Sequence, residues 1–216
     1  MVPLVLRVRG AGQTGPAGLS ALRFERSRKG SDGSRRARER QCARRRTGET
    51  GAGLYRIEAA IGPGTGTRIL NHPQPPAFRE SVRVGEQNLY TRAKELVGDR
   101  DPRAHQYTIQ MQPFDADNSG SGLGLPVLVA LVGGLLERST RGAMILVGPL
   151  SLGGSMDMIA NPVEMAELAV DKQASTLLMP VSARRGLNDL PDDIWTKISI
   201  EFYSDPADGV FKALTD

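Results

Sequence analysis

A nearly continuous apolar run that ends at Arg138 constrains the fold more than any other segment. Between residues 123 and 138 the apolar side chains fall on every side of a helix, so no solvent face is left. A helix of this kind is stable only in the middle of a domain. A polar, glycine-rich turn over residues 115–122 comes directly before it. The sequence therefore predicts a central buried helix that is entered through a tight turn.

Helix and strand patterns alternate along the chain from about residue 53. Alternating polar and apolar residues or short apolar runs predict strands, and apolar residues every three to four positions predict helices. Predicted strands cover residues 54–61, 67–71, 106–112, 143–147, 176–179 and 198–203. Predicted helices cover residues 78–97, 123–138, 163–172, 191–195 and 206–214, with a tight reversal at 150–159. This order predicts an α/β (α+β) domain with a mixed sheet and packed helices.

The positive charge of the chain is concentrated at its start. Residues 1–50 hold 13 Lys and Arg against 4 Asp and Glu, a formal charge of +9, whereas the remaining residues carry −5. The first 52 residues are rich in Gly and Arg and show almost no apolar periodicity, which predicts a disordered basic segment. Three interpretations stay open: a solvated tail, translated sequence upstream of the true start, and a nucleic-acid-binding arm.

Several function classes lack the residues they need. Cys42 is the single cysteine, and the two histidines, His72 and His105, are far apart, so the sequence predicts neither a disulfide nor a metal site. Nothing in the chain resembles the Gly-Lys-Ser/Thr ending of a phosphate-binding loop, so we expect no ATPase and no cofactor in this chain. The lack of a disulfide framework fits a cytoplasmic protein. Without a run of about 18 apolar residues we expect no membrane span.

From residue 118 onward the sequence resembles the proteolytic domain of Lon proteases. The resemblance rests on six successive features: a serine turn before an apolar helix, a strand ending in Val147-Gly148, a reversal at Leu152-Gly153-Gly154, a helix after Asn161, a strand ending in Leu178-Met179-Pro180, and a helix near Leu190-Pro191. Longer strings at residues 76–82, 96–102, 175–184 and 202–206 resemble the Lon-related proteins of bacterial BREX phage-defence systems.

The resemblance implies a Lon protease C-terminal domain-like fold for residues 114–216, with residues 53–113 as a strand and helix lead-in subdomain. It also implies a homo-oligomer, assembly into rings on DNA, and an ATPase domain of the AAA+ type ahead of the Lon-like part. ATP and Mg²⁺ would belong to that domain. This chain would then be a C-terminal fragment or a truncated gene product.

Lon chemistry requires a serine hydroxyl and a lysine amine that takes its proton. The resemblance points to Ser121 as the candidate nucleophile, one position out of the gap-free register, and to Ser119 as the second candidate. Met165 stands where the family has its lysine, and a thioether cannot act as a base. Lys172, two helical turns further on, is a displaced candidate base, and Glu164 is another.

Three hypotheses follow from these residues. The first is a Lon-like domain without peptidase activity that serves oligomeric assembly in a BREX-type defence protein. The second is an active ATP-dependent Lon-type serine peptidase that uses Ser121 with a non-standard base. The third is a DNA-binding module that acts through the arginine-rich segment.

Overall fold

A seven-stranded mixed sheet organises the computed structural model, which describes residues 53–114 and 120–215 in full and residues 4–6 by their backbone. The strands are β1 (Leu4–Leu6), β2 (Leu54–Pro63), β3 (Gly66–Ile69), β4 (His105–Pro113), β5 (Met144–Leu146), β6 (Thr176–Pro180) and β7 (Ser199–Tyr203). Their order across the sheet is β3-β4-β2-β1-β5-β6-β7.

Strand direction divides the sheet into two halves. On one side β2 and β4 form a long antiparallel pair, and β3 runs parallel to β4 at the edge. On the other side β5, β6 and β7 are all parallel. The short strand β1 lies between the halves, parallel to β2 and antiparallel to β5.

Six helices connect or follow these strands in the described residues. They are α1 (Pro76–Thr91), α2 (Ala93–Val97), α3 (Gly124–Leu136), α4 (Pro162–Asp171), α5 (Asp192–Trp195) and α6 (Pro206–Ala213), and two 3₁₀ segments occupy Pro102–Ala104 and Val181–Leu187. The predicted α/β (α+β) class, a mixed sheet with packed helices, is confirmed.

Two apolar clusters fill the fold, one on each face of the sheet. Alternation along β5 separates them, because Met144 and Leu146 belong to the first cluster and Ile145 belongs to the second. The first cluster also takes in apolar residues of α1, α3 and α6, and the second takes in residues of α4, α5 and the later 3₁₀ segment. All of α3 except Gly134 and Leu136 is buried, which confirms the predicted central helix.

Both the lead-in residues and the Lon-like residues contribute to the first cluster. Tyr55 and Ile109 come from β2 and β4, and Leu125 and Val129 come from α3. The described residues also belong to one compact unit of the chain. Apolar burial therefore continues across the predicted boundary at residue 113.

An ion pair connects the segment before β5 to the last strand and the last helix. Both terminal nitrogens of Arg141 donate to the Glu201 carboxylate, at 2.7 and 2.8 Å, and Arg141 Nη1 also donates to the carbonyl of Lys212 at 3.2 Å. The hydrogen bonds from Arg141 hold the pKa of Glu201 below its usual value.

The structure differs from the sequence prediction at two points. The predicted helix over residues 78–97 is broken at Arg92, whose φ of −108° and ψ of 22° separate α1 from α2. Thr91 Oγ1 donates to the carbonyl of Gln87 at 2.9 Å, a bond that tends to bend helices. Regular structure also includes β1, ahead of residue 53 where it was expected to begin. The rest of the predicted basic segment lies outside the described residues.

Candidate functional site

The serine turn enters α3 through two glycines in the left-handed region. Gly120 and Gly122 both have a φ of +65°, and Ser121 between them is half-buried. A Cβ added to Gly120 would lie 2.6 Å from Met111 Sδ and 2.7 Å from Phe78 Cβ. Both the backbone conformation and the packing therefore require glycine at position 120.

Side chains from distant segments hold this turn. Ser81 Oγ on α1 lies 3.1 Å from the Gly120 carbonyl and donates to it, and it accepts the Leu123 amide at 3.2 Å. The Tyr55 hydroxyl on β2 accepts the Gly120 amide at 3.4 Å. The N-cap residue of α3, Leu123, has no polar side chain that could cap its own helix. Ser81 accepts the amide of Leu123 itself, and the Leu125 amide, which an N-cap hydroxyl could accept, donates to the Gly148 carbonyl.

The first turn of α3 packs tightly against the segment that follows β5. The Leu125 amide donates to the Gly148 carbonyl at 3.1 Å, and a Cβ added to Gly148 would lie 2.6 Å from Leu125 Cβ. The buried hydroxyl of Tyr203 donates to the Val147 carbonyl at 2.7 Å, and its burial raises the pKa of that tyrosine. The start of α3 is thereby joined to the carboxyl end of β5.

The predicted reversal at residues 150–159 is present beside the serine turn. Leu150 and Met156 form an antiparallel bridge, and Gly154 has a φ of +80°. The Ser151 amide donates to the Ser155 carbonyl at 2.9 Å, which closes the turn. Asn88 Nδ2 on α1 donates to the Ser151 carbonyl at 3.0 Å, so α1 contacts this loop as well as the serine turn.

The position that the Lon resemblance assigns to lysine is occupied by a buried apolar side chain. Met165 on α4 is 2% exposed and belongs to the apolar cluster on the face of the sheet opposite α3. A methionine there can pack but cannot accept a proton from a serine.

The other candidate residues have different surroundings. Lys172 is exposed at the end of α4, about 10 Å along the helix from Met165. Glu164 is half-buried in the first turn of α4. Ser119, the second candidate nucleophile, lies outside the described residues.

Residues 53–114 and 120–215 were compared with the requirements of a metal cluster and of a membrane-spanning helix. This part of the chain holds no group of three or more His, Cys, Asp or Glu side chains that could bind a metal ion. None of its helices combines the length and the apolar character that crossing a bilayer requires.

Sequence reasoning missed two residues of this region, Ser81 and Asn88. Both are polar side chains on the apolar side of α1, next to Val82 and Leu89. A polar residue inside an apolar helical stripe must find a hydrogen-bond partner when it is buried. These two polar residues within the apolar side of the predicted helix were the sequence signal that could have identified them.

Comparison with known proteins places the chain among relatives of the Lon proteases. The "Lon protease" of Methylocella silvestris is 27% identical over 155 residues, which is 70% of this chain and 19% of that protein. The family described as "Subunit ChlI of Mg-chelatase" matches residues 81–183, from α1 to the later 3₁₀ segment. The chain is thus a Lon-related protein, as its sequence predicted.

Within that class the similarity extends to the "Lon-like protease BrxL". The protein of this name from Escherichia coli O9:H4 (strain HS) is 27% identical over 163 residues, 75% of this chain and 24% of that protein. The one from Bacillus cereus (strain H3081.97) is 24% identical over 171 residues, 77% of this chain and 25% of that protein. The chain therefore spans about a quarter of the length of these relatives.

Proposed function

We propose that this chain is a Lon-like domain without peptidase activity that serves assembly in a BREX-type phage-defence protein of the cytoplasm. The observation that carries the proposal is the buried Met165 at the position where the Lon resemblance requires lysine. A serine hydroxyl is a weak nucleophile unless a base takes its proton, and methionine has no group that could do so. Relatives named "Lon-like protease BrxL" support the placement in this class.

A fluorophosphonate probe, which reacts with activated serines, tests the loss of peptidase activity on the full chain. We expect no probe on Ser121 by peptide mass spectrometry and no cleavage of casein. A Ser121→Ala variant and a Ser155→Ala variant, which alters an exposed serine of the reversal, should behave like the unchanged protein. Labelling of Ser121 together with casein cleavage that Ser121→Ala abolishes and Ser155→Ala leaves intact would overturn the proposal.

The second candidate function is an active Lon-type serine peptidase with a non-standard base. The half-buried position of Ser121 favours it, because a substrate could still reach this hydroxyl between its two glycines. The base would come from Lys172 or Glu164 after a rearrangement of α4, or from another protein. The same probe experiment decides between the two functions.

The assembly role involves copies of this chain and an ATPase of the AAA+ type, with ATP and Mg²⁺ bound by that ATPase. Sedimentation of the full chain across a wide concentration range tests the first part, and a strict monomer at every concentration would count against it. A DNA contact through residues 1–51 is the separate third candidate. Its support is the charge of the first 50 residues, +9. Replacement of the seven arginines between residues 35 and 46 by glutamine, which leaves β1 in place, should abolish a salt-dependent DNA affinity.

A further inference from the structure

Helix α1 carries two of the buried polar side chains in the described part of the molecule. Ser81 is 6% exposed and Asn88 is 2% exposed, and Thr176 on β6 is the third such residue there. Ser81 and Asn88 are seven positions apart, so they lie on the same side of α1 about 10 Å from each other. Burial of a polar side chain is unfavourable unless hydrogen bonds compensate for the lost water.

Each of the two side chains makes one bond within α1 and at least one bond to a different loop. Ser81 Oγ lies 3.0 Å from the Ala77 carbonyl of its own helix and 3.1 Å from the Gly120 carbonyl, and these two acceptors share its one hydrogen. The same oxygen accepts the Leu123 amide. Asn88 Nδ2 donates to the Val84 carbonyl at 2.9 Å, and it also bonds the reversal through the Ser151 carbonyl. The bonds to the loops connect residues 39 to 63 positions apart in the chain.

A glycine between these residues brings α1 close to the start of α3. A Cβ added to Gly85 would lie 2.8 Å from Val127 Cγ1 and 3.1 Å from the Gly124 carbonyl. The same side of α1 thus contacts the serine turn, the first turn of α3 and the reversal. Gly124 in turn contacts the reversal, because an added Cβ there would lie 2.8 Å from Leu150 Cβ.

We infer that Ser81 and Asn88 are positioning residues that fix the serine turn and the glycine reversal relative to each other from one rigid helix. Ser81 determines where the turn enters α3, and Asn88 determines where the reversal lies. This role does not depend on peptidase activity, because it concerns the backbone of the two loops and not the chemistry of Ser121.

Amide hydrogen exchange of the full chain, followed at single residues, tests the role. In Ser81→Ala the Leu123 amide loses its acceptor, so we expect its exchange to become about five- to thirtyfold faster. The amides of Ser151 and Gly154 should keep their rates. Asn88→Ala should have the opposite pattern, with faster exchange in the reversal and little change at Leu123.

Two further variants serve as controls. Ser81→Thr keeps the hydroxyl and should return the Leu123 rate to near that of the unchanged protein. Thr91→Ala removes the same kind of bond within α1, from Thr91 Oγ1 to the Gln87 carbonyl, and should alter neither loop. If Ser81→Ala does not fold, Ser81→Cys gives the same comparison, because a thiol is a weak acceptor of similar size.

The inference is overturned if exchange at Leu123 is the same in Ser81→Ala as in the unchanged protein. It is also overturned if every amide of α3 accelerates by the same factor as Leu123, because the serine would then contribute only to general stability. Faster exchange confined to the serine turn in one variant and to the reversal in the other supports it.

Discussion

Three glycine-to-alanine substitutions separate backbone strain from crowding at the serine turn. Gly62 on β2 has an ordinary φ and open space where a Cβ would lie. Gly98 has a φ of +64° and the same open space. Gly120 has almost the same φ, +65°, but its Cβ would meet Met111 and Phe78. Gly98→Ala therefore measures the strain alone, and Gly120→Ala measures the strain together with the contact.

The expected changes in the free energy of unfolding follow from these surroundings. Gly62→Ala should be neutral or stabilise by about 0.4–1 kcal/mol, because alanine restricts the unfolded chain. Gly98→Ala should destabilise by about 1–3 kcal/mol, because a φ of +64° with a ψ of −124° is a backbone conformation that residues with a Cβ rarely adopt. In Gly120→Ala the contact with Phe78 should lower the free energy of unfolding by ~1–3 kcal/mol beyond the backbone strain, because Phe78 Cβ can move away only together with α1.

Urea unfolding of the full chain measures these differences. Far-ultraviolet circular dichroism and the fluorescence of Trp195, the single tryptophan, give two independent signals. Equal slopes of free energy against urea in all variants would show that only the folded state has changed. If Gly120→Ala destabilises by no more than the ~1–2 kcal/mol of left-handed backbone alone, the contact with Phe78 does not restrict the turn and the reasoning is refuted.

Three further predictions concern charge, backbone conformation and the lysine position. Because Arg141 lowers the pKa of Glu201, their pair stabilises the fold above the unfolded carboxyl pKa of about 4.3, and that stabilisation disappears as pH falls through the lower folded value. Arg141→Gln should thus lower the free energy of unfolding by about 1 kcal/mol at pH 7 and by less at pH 3, measured by urea unfolding. The same loss at both pH values would contradict this prediction. Gln173→Gly should raise the thermal midpoint, with about 0.5–1 kcal/mol of added stability, because Gln173 follows the cap residue of α4 and has a φ of +57°; a lower midpoint would be the contrary result. Met165→Lys should lower the free energy of unfolding by several kcal/mol, and by less at high pH, where the lysine is neutral. Met165→Leu should lower it by under about 1.5 kcal/mol. A small, pH-independent loss in Met165→Lys would indicate that water reaches this position.

Strong periodic patterns made most of the fold predictable from sequence. The apolar run of α3 could only be central, and the alternating β4 has its apolar side on the core and its polar side towards solvent. Local chemistry was equally informative at helix ends. Asp205 caps α6 by accepting the Asp208 amide at 3.0 Å, and an Asp followed by Pro is a sequence signal for the start of a helix.

What could not be predicted depends on contacts between distant segments. The role of Ser81 is visible only when Gly120 and Leu123 lie beside it, about 40 positions further along the chain. The break at Arg92 likewise interrupts a helical pattern that continues in the sequence on both sides. The Ser121 and Met165 assignments came from the Lon resemblance, and they remain predictions for the probe experiment.

The three-residue strand β1 determines how many free edges the sheet has. Its backbone pairs with β2 on one side and with β5 on the other, two strands that are joined only through it in the order of the sheet. Without β1, each of these strands would present a row of unpaired amide and carbonyl groups in the middle of the domain. Unpaired rows of this kind recruit strands from other chains, so these three residues shield the start of β2, at Leu54 and Tyr55, and the end of β5, at Ile145 and Leu146, from such pairing.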